Sequence, residues 1–266
     1  MKKKRHPLTT LYSVLIFLFL YAPIVVLIVF SFNESKSRGH WGGFSLKWYQ
    51  ELFDNSMLMD ALKTTLSLGV LSSLIAVIIG TAAALGMFYA GKRMRGLLMN
   101  IVSLPMLNAE IVTGISLLLL FTFIGLKLGF VSLLLAHITF NIPFVILSVM
   151  PKLNQLDKHT YEAALDLGAT PLQAFYKVML PEIAPGIVTG FILAFTMSID
   201  DFVISFFTTG ADVNTLSVAI YSMTRRGIKP EINALSTLMF LAVLTLLLIV
   251  NIRSGRDAAK REKPRH

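Results

Sequence analysis

The chain has 266 residues, 55% of them hydrophobic and only 15% charged, with a mean hydropathy of +0.71 and a formal net charge of +9. A soluble domain averages about 25% charged residues, so this composition excludes an ordinary soluble domain and points to the membrane class. The chain has no cysteine, which excludes disulfides and thiolate chemistry, and its basic excess reads as topology signals beside anionic lipid rather than as a nucleic-acid footprint.

Six apolar runs fall near residues 11–32, 66–90, 97–124, 129–150, 183–208 and 232–252. A bilayer-crossing helix needs roughly 20 apolar residues, and its backbone must be satisfied within the segment, so each run reads as a transmembrane helix. The expected fold class is an all-α polytopic membrane protein, a single transmembrane domain over 1–266 without an internal repeat. The first run follows MKKKRHPL, is longer than a typical signal-peptide core and has no A-x-A-like site after it, so it is expected to remain uncleaved. With the N-terminus inside, the inner segments hold sixteen Lys and Arg and the outer ones eight, which predicts that both termini are cytoplasmic.

The longest outer loop, 33–64, contains Ser45, which can cap a short helix carrying Trp48, Tyr49, Leu52 and Phe53 on one face. That face suits headgroup anchoring or contact with an external delivery protein. The run Gly86–Arg93, GMFYAGKR, imitates a phosphate-binding loop, but Arg93 stands where Ser or Thr would hold magnesium, and the run ends a membrane helix. No nucleotide site is expected in this chain.

Ionisable residues inside spans are rare and costly. Glu110 falls near the middle of the third run, after Pro105 and Asn108, which suggests irregular helix lining a cavity. In the fourth run, Asn141 and Pro143 are expected to interrupt the helix, while His137 reads as packed and hydrogen-bonded. The fifth run carries a Gly186–Gly190 pair suited to helix packing. It also carries Asp200 and Asp201, about 100° apart on a helix. Ala194, Ser198, Asp201, Ser205 and Thr208 form a small polar stripe, which favours Asp201 as pathway-facing and leaves Asp200 to a partner or an outer-mouth cation. The alternative for each carboxylate is a structural hydrogen bond. No span places Lys or Arg near its centre, so the certain charges at depth are negative, and a cationic substrate follows. The tail, 253–266, is charged and expected to fray.

The segment between the fourth and fifth runs is polar and compatible with helix. Asp157 can cap a first rod through Tyr161, Glu162 and Leu165; Gly168 suits the left-handed residue that ends it. Thr170, Pro171 and Gln173 form a capping box that opens a second rod, closed by Pro181 or joined there to the next span. Leu165, Leu172, Phe175 and Met179 offer apolar area to a partner.

This segment, EAALDLGATPLQAFYKVMLP, resembles the EAA loop of ATP-binding-cassette importer permeases. The matching residues are Glu162, Ala163, Ala164, Gly168, Val178, Leu180 and Pro181, with Val178 where Ile is commoner. Further matches cover most of the chain: Ser31-Phe32-Asn33, Gly43-Phe44, Lys47-Trp48-Tyr49, Leu128-Gly129-Phe130, Ser198 to Val203 and Lys229 to Ala234. Together they resemble the PotC-type permease family of spermidine/putrescine importers. The resemblance implies the type I (MetI-like) importer fold, an EAA coupling helix over 157–181, and a non-catalytic subunit without its own cofactor. It implies ATP and magnesium in two PotA-like ATPase subunits, a PotB-like sister permease and a PotD-like periplasmic binding protein, in a bacterial inner membrane. Glu110, Asp201, Asp200 and Asn141 are the candidate pathway residues. A permease for ferric iron or another organic amine, a stand-alone secondary cation transporter and a membrane-bound enzyme are the competing classes.

Overall fold

The computed structural model describes residues 7–36, 39–226 and 230–261. The basic cluster Lys2–Arg5, Arg38, Lys229 and the end of the tail, 262–266, lie outside the described residues. The described chain is helical, with one isolated antiparallel bridge between Asn33 and Phe44. Packing groups it into two compact units, residues 1–59 with 222–266, and residues 60–221.

In the first unit, α1 (Pro7–Ser31) packs on α12 (Glu231–Arg261), which also meets α2 (Lys47–Asp54). Asn33 ties the loop before α2 into a knot: its Nδ2 donates to the His40 carbonyl at 2.8 Å, and its Oδ1 accepts from Gly42 N–H at 2.8 Å. The Trp48 indole N–H donates to the Asn33 carbonyl at 2.5 Å, and Phe32 stacks on Phe44 and tilts against Tyr49. Ser45 Oγ accepts the Lys47 N–H at 3.1 Å in a local turn, but the residue at the cap of α2 is Leu46, so the cap expected at Ser45 is not formed. The interfacial reading of α2 is corrected. Trp48 and Leu52 are fully buried and only Phe53 lies exposed, so the apolar face of α2 is part of a protein core. The first part of the charged tail continues α12 as helix to Arg261.

The second unit holds α3 (Ser56–Tyr89, its first turn in the other unit), α4 (Lys92–Leu107), α5 (Glu110–Phe123), α6 (Phe130–Gln155), α7 (Lys158–Asp166) and α8 (Pro171–Ala174). A π-helical turn over Phe175–Met179, α9 (Leu180–Asp200), α10 (Val203–Thr208) and most of α11 (Leu216–Arg226) complete it. Helix α3 has 34 residues, about 51 Å at 1.5 Å per residue, against a hydrocarbon core of about 30 Å. Helices α6 and α9 form the main packed pair. A Cβ at Gly186 would stand 2.8 Å from the Ser148 carbonyl oxygen and 3.2 Å from Val149 Cα, so the glycine lets the two backbones close up.

Helices α1, α3, α6 and the run Pro171–Asp200 are each long and apolar enough to cross a bilayer. The third expected span is broken: α4 and α5 meet at 101°, because Asn108 and Ala109 are extended (ψ 147° and 135°) three residues after Pro105. Counted as one span, this pair makes a fifth, and the apolar part of α12, Glu231–Thr245, is shorter; the described residues thus supply up to five of the six expected spans. The fifth expected span ends at Asp200, eight residues short of its expected limit, because Asp201 is extended (ψ 124°). The expected interruption at Asn141 and Pro143 is absent: α6 runs unbroken through both.

Candidate functional site

The segment 157–181 is built by local chemistry. Asp157 accepts the His159 N–H at 3.0 Å and caps α7. At the other end, Ala169 N–H donates to the Ala164 carbonyl and Gly168 N–H to that of Leu165, with Gly168 at φ +85°. That pair of bonds is a Schellman ending, and φ +85° is open to glycine without strain. Thr170 and Gln173 exchange the two bonds of a capping box, with Pro171 opening α8.

The second rod departs from the expected short helix. Helix α8 has four residues and passes through the π turn directly into α9, with Pro181 in the first turn of α9 and no break there. Proline cannot donate an N–H to the preceding turn, and an i→i−5 bond from Leu180 N–H to the Phe175 carbonyl stands just before it. The segment is therefore continuous with the α9 rod.

Glu162 and Ala163 are exposed, Ala164 and Leu180 half-buried, and Pro181 exposed. Glu162 lies 3.6 Å from His159 Nδ1 in an exposed contact, worth little by itself. Of the four apolar residues expected to face a partner, Leu172 is exposed, whereas Phe175 and Met179 pack into the unit's own core beside Val149, Leu153 and Ile183. Sequence periodicity missed Leu167 (89% exposed) and Tyr176 (57%), whose outward direction depends on the turn at Gly168 and on the π register.

The four candidate pathway residues fall into two groups. Glu110 is the first residue of α5, directly after the break, and is exposed; a carboxylate there is favoured by the helix N-terminus. Asp200 is the last residue of α9, also exposed, and within electrostatic range of Glu110. The two acids flank the two breaks, one opening α5 and the other closing α9, and α10 packs along α5.

Asp201 and Asn141 lie in a buried polar network instead. Asp201 Oδ2 accepts Ser205 N–H at 2.7 Å and Oδ1 accepts Ile204 N–H at 3.3 Å, so its carboxylate caps α10. His137 Nε2 stands 3.6 Å from Asp201 Oδ2 and 3.1 Å from Ser205 Oγ, with its side chain fully buried as expected for a packed histidine. Asn141 Nδ2 donates to Ser198 Oγ at 2.7 Å, and Ser198 Oγ lies 3.0 Å from Ser72 Oγ of α3. The polar stripe that favoured Asp201 over Asp200 assumed one continuous helix. The break at Asp201 turns that carboxylate inward and leaves Asp200 outward. Two sequence signals pointed to this region: the stripe through Ser198, Asp201 and Ser205, whose members are all buried, and the i, i+4 spacing of His137 and Asn141 on α6. Among the described residues, no group of three His, Asp or Glu is placed to hold a metal ion.

Residues 76–254 match the family described as binding-protein-dependent transport system inner membrane component. The chain is 40% identical over 235 residues to the spermidine/putrescine transport system permease protein PotC of Escherichia coli (strain K12), covering 88% of each chain. It is 39% identical over 247 residues to the putrescine transport system permease protein PotI of the same organism, covering 90% of this chain and 88% of the relative. Its fold is similar to a chain in the crystal structure of a bacterial ABC transporter involved in the import of the acidic polysaccharide alginate. The TM-score there is 0.70 at 21% identity, over 93% of this chain and 94% of that one.

The chain belongs to the binding-protein-dependent transport system inner membrane component family. It is a multi-pass membrane permease homologous to the polyamine permeases, with the fold of the importer transmembrane subunits.

Proposed function

We propose that this chain is one of two permease subunits of an ATP-driven importer of polyamines, lining half of the pathway and hydrolysing nothing itself. The alginate relative shows why fold alone does not choose the cargo: one architecture hosts many substrates. The polyamine reading rests on the 40% identity to a spermidine/putrescine permease over 88% of the chain. It is supported by the Glu110–Asp200 pair, two exposed carboxylates at helix breaks, with no Lys or Arg near the centre of a span.

A polyamine carries ammonium groups separated by methylenes. Spaced carboxylates between apolar walls attract it, and their partial exposure keeps binding weak enough for release. Asp200, rather than Asp201, is the pathway carboxylate of α9 in this reading. Asn141 and Asp201 then act from behind the wall.

The partners are a sister permease, two ATPases that bind ATP and magnesium, and a periplasmic binding protein. The ATPase docks on the exposed side of the 157–181 segment, over Ala163, Leu167, Leu172 and Tyr176, which places that segment and both termini in the cytoplasm. Closure of the ATPases pushes α7 and α8, and the uninterrupted join at Pro181 carries the push along α9 to the break at Asp201.

The test is uptake of radiolabelled putrescine and spermidine by the reconstituted assembly, with unlabelled amines and ferric iron as competitors. Polyamine uptake that needs ATP and is indifferent to iron is the expected result. Transport of iron in place of polyamine, or transport by this chain alone, overturns the assignment.

A further inference from the structure

The network behind the α9–α10 break holds both sides of that break from a single helix. On the α9 side, Asn141 of α6 bonds Ser198, three residues before the turn. On the α10 side, His137, one helical turn away from Asn141 on α6, contacts Ser205 Oγ and faces Asp201. Helix α10 has six residues, too few to persist alone, and its first N–H groups depend on the Asp201 carboxylate. His137 Nε2 stands 3.6 Å from that carboxylate, beyond hydrogen-bond reach, and meets Ser205 Oγ at 3.1 Å. All of these side chains are buried, in a region where an unpaired polar group is costly.

We propose that His137 is a positioning residue: through Ser205 and Asp201 it fixes the elbow between α9 and α10, and so holds Asp200 at the exposed end of α9. The effect on uptake rests on the reading of Asp200 as a pathway carboxylate. The effect on elbow geometry does not.

The natural absence of cysteine allows a direct test in the full importer assembly. Asp200→Cys gives this chain one thiol, and its maleimide labelling rate, read on this chain after the subunits are separated, reports the exposure of position 200. Uptake KM is read in parallel without that substitution. Removing the imidazole in His137→Leu, or only the hydroxyl in Ser205→Ala, is expected to change the labelling rate by about fivefold or more and to raise the polyamine KM. His137→Gln, whose amide nitrogen reaches close to the place of Nε2, is expected to keep both within about twofold. Should His137→Leu fail to assemble, Ser205→Ala decides. Unchanged labelling and KM in the assembled variants overturn the proposal, as does a His137→Gln variant as impaired as His137→Leu. A changed labelling rate with an unchanged KM leaves the elbow role standing and removes Asp200 from the pathway.

Discussion

Asn141 on α6 donates from Nδ2 to Ser198 Oγ on α9 at 2.7 Å, and both residues are shut away from solvent. The bond joins the two helices that pack most extensively, and Ser72 of α3 extends it to a third. Hydrogen bonds between membrane helices contribute about 0.6 kcal/mol on average and up to about 1.7. A double-mutant cycle of Asn141→Ala and Ser198→Ala is expected to show coupling within that range, read from unfolding midpoints at a fixed scan rate. Zero coupling would mean that the contact contributes nothing to holding α6 on α9.

Gly168 carries a prediction about backbone conformation rather than space. A Cβ there meets nothing within 4 Å, yet φ is +85°. A left-handed residue with a Cβ costs about 1 to 2 kcal/mol, less for asparagine than for alanine. Uptake and ATPase stimulation are expected to fall in the order Gly168, Gly168→Asn, Gly168→Ala, with transport falling further than the amount of assembled importer. Equal activity of all three chains would show that the Schellman ending is dispensable for coupling.

The parts of this fold legible in the sequence are those set by local chemistry. Long apolar runs demand helices, and Asp157, Gly168, Thr170 and Gln173 each dictate the backbone within three or four residues of themselves. The irregularity expected near Asn108 from Pro105, Asn108 and Glu110 is present as the break at Asn108–Ala109, whereas the break at Asp201 was hidden because apolar residues resume directly after the two aspartates. What turns the chain is tertiary: α10 lies along α5, and Ile204, Phe121, Ala136 and Phe140 share a cluster that an unbroken fifth span could not form. The role of α2 was hidden for another reason. An apolar helix face carrying Trp48 and Leu52 has the same pattern whether it meets lipid or protein, and the bond from Trp48 to Asn33 decides it.

The outward apolar side chains of the 157–181 segment predict where the ATPase binds. Leu167 and Leu172 are exposed on either side of the Gly168 turn, whereas Met179 is buried. Burying a leucine contributes about 1.5 to 3 kcal/mol, and a charge in its place adds a desolvation cost. Leu167→Asp and Leu172→Asp are each expected to reduce ATPase co-purification at least about tenfold while the permease pair stays assembled. Met179→Asp should instead reduce the amount of folded permease. Full ATPase recovery with both outward variants would move the docking surface elsewhere.

The last prediction separates the two adjacent aspartates. In Asp201→Asn, an amide keeps one oxygen acceptor but loses the second, leaving either Ser205 N–H or Ile204 N–H without its partner. An unpaired buried donor costs about 1 to 3 kcal/mol, so the expected result is a lowered unfolding midpoint and less assembled importer. Asp200 makes no such cap, and Asp200→Asn should leave the midpoint close to wild type. Its loss appears in transport: with Glu110→Gln, Asp200→Asn is expected to raise the polyamine KM by about tenfold or more, an effect that shrinks as salt screens the exposed pair. Binding of the polyamine to the isolated periplasmic protein must stay unchanged, which assigns the loss to the membrane pathway. If instead Asp201→Asn raises KM at full stability and Asp200→Asn does nothing, the carboxylate that meets the cargo is the one facing His137, and the elbow must open during transport.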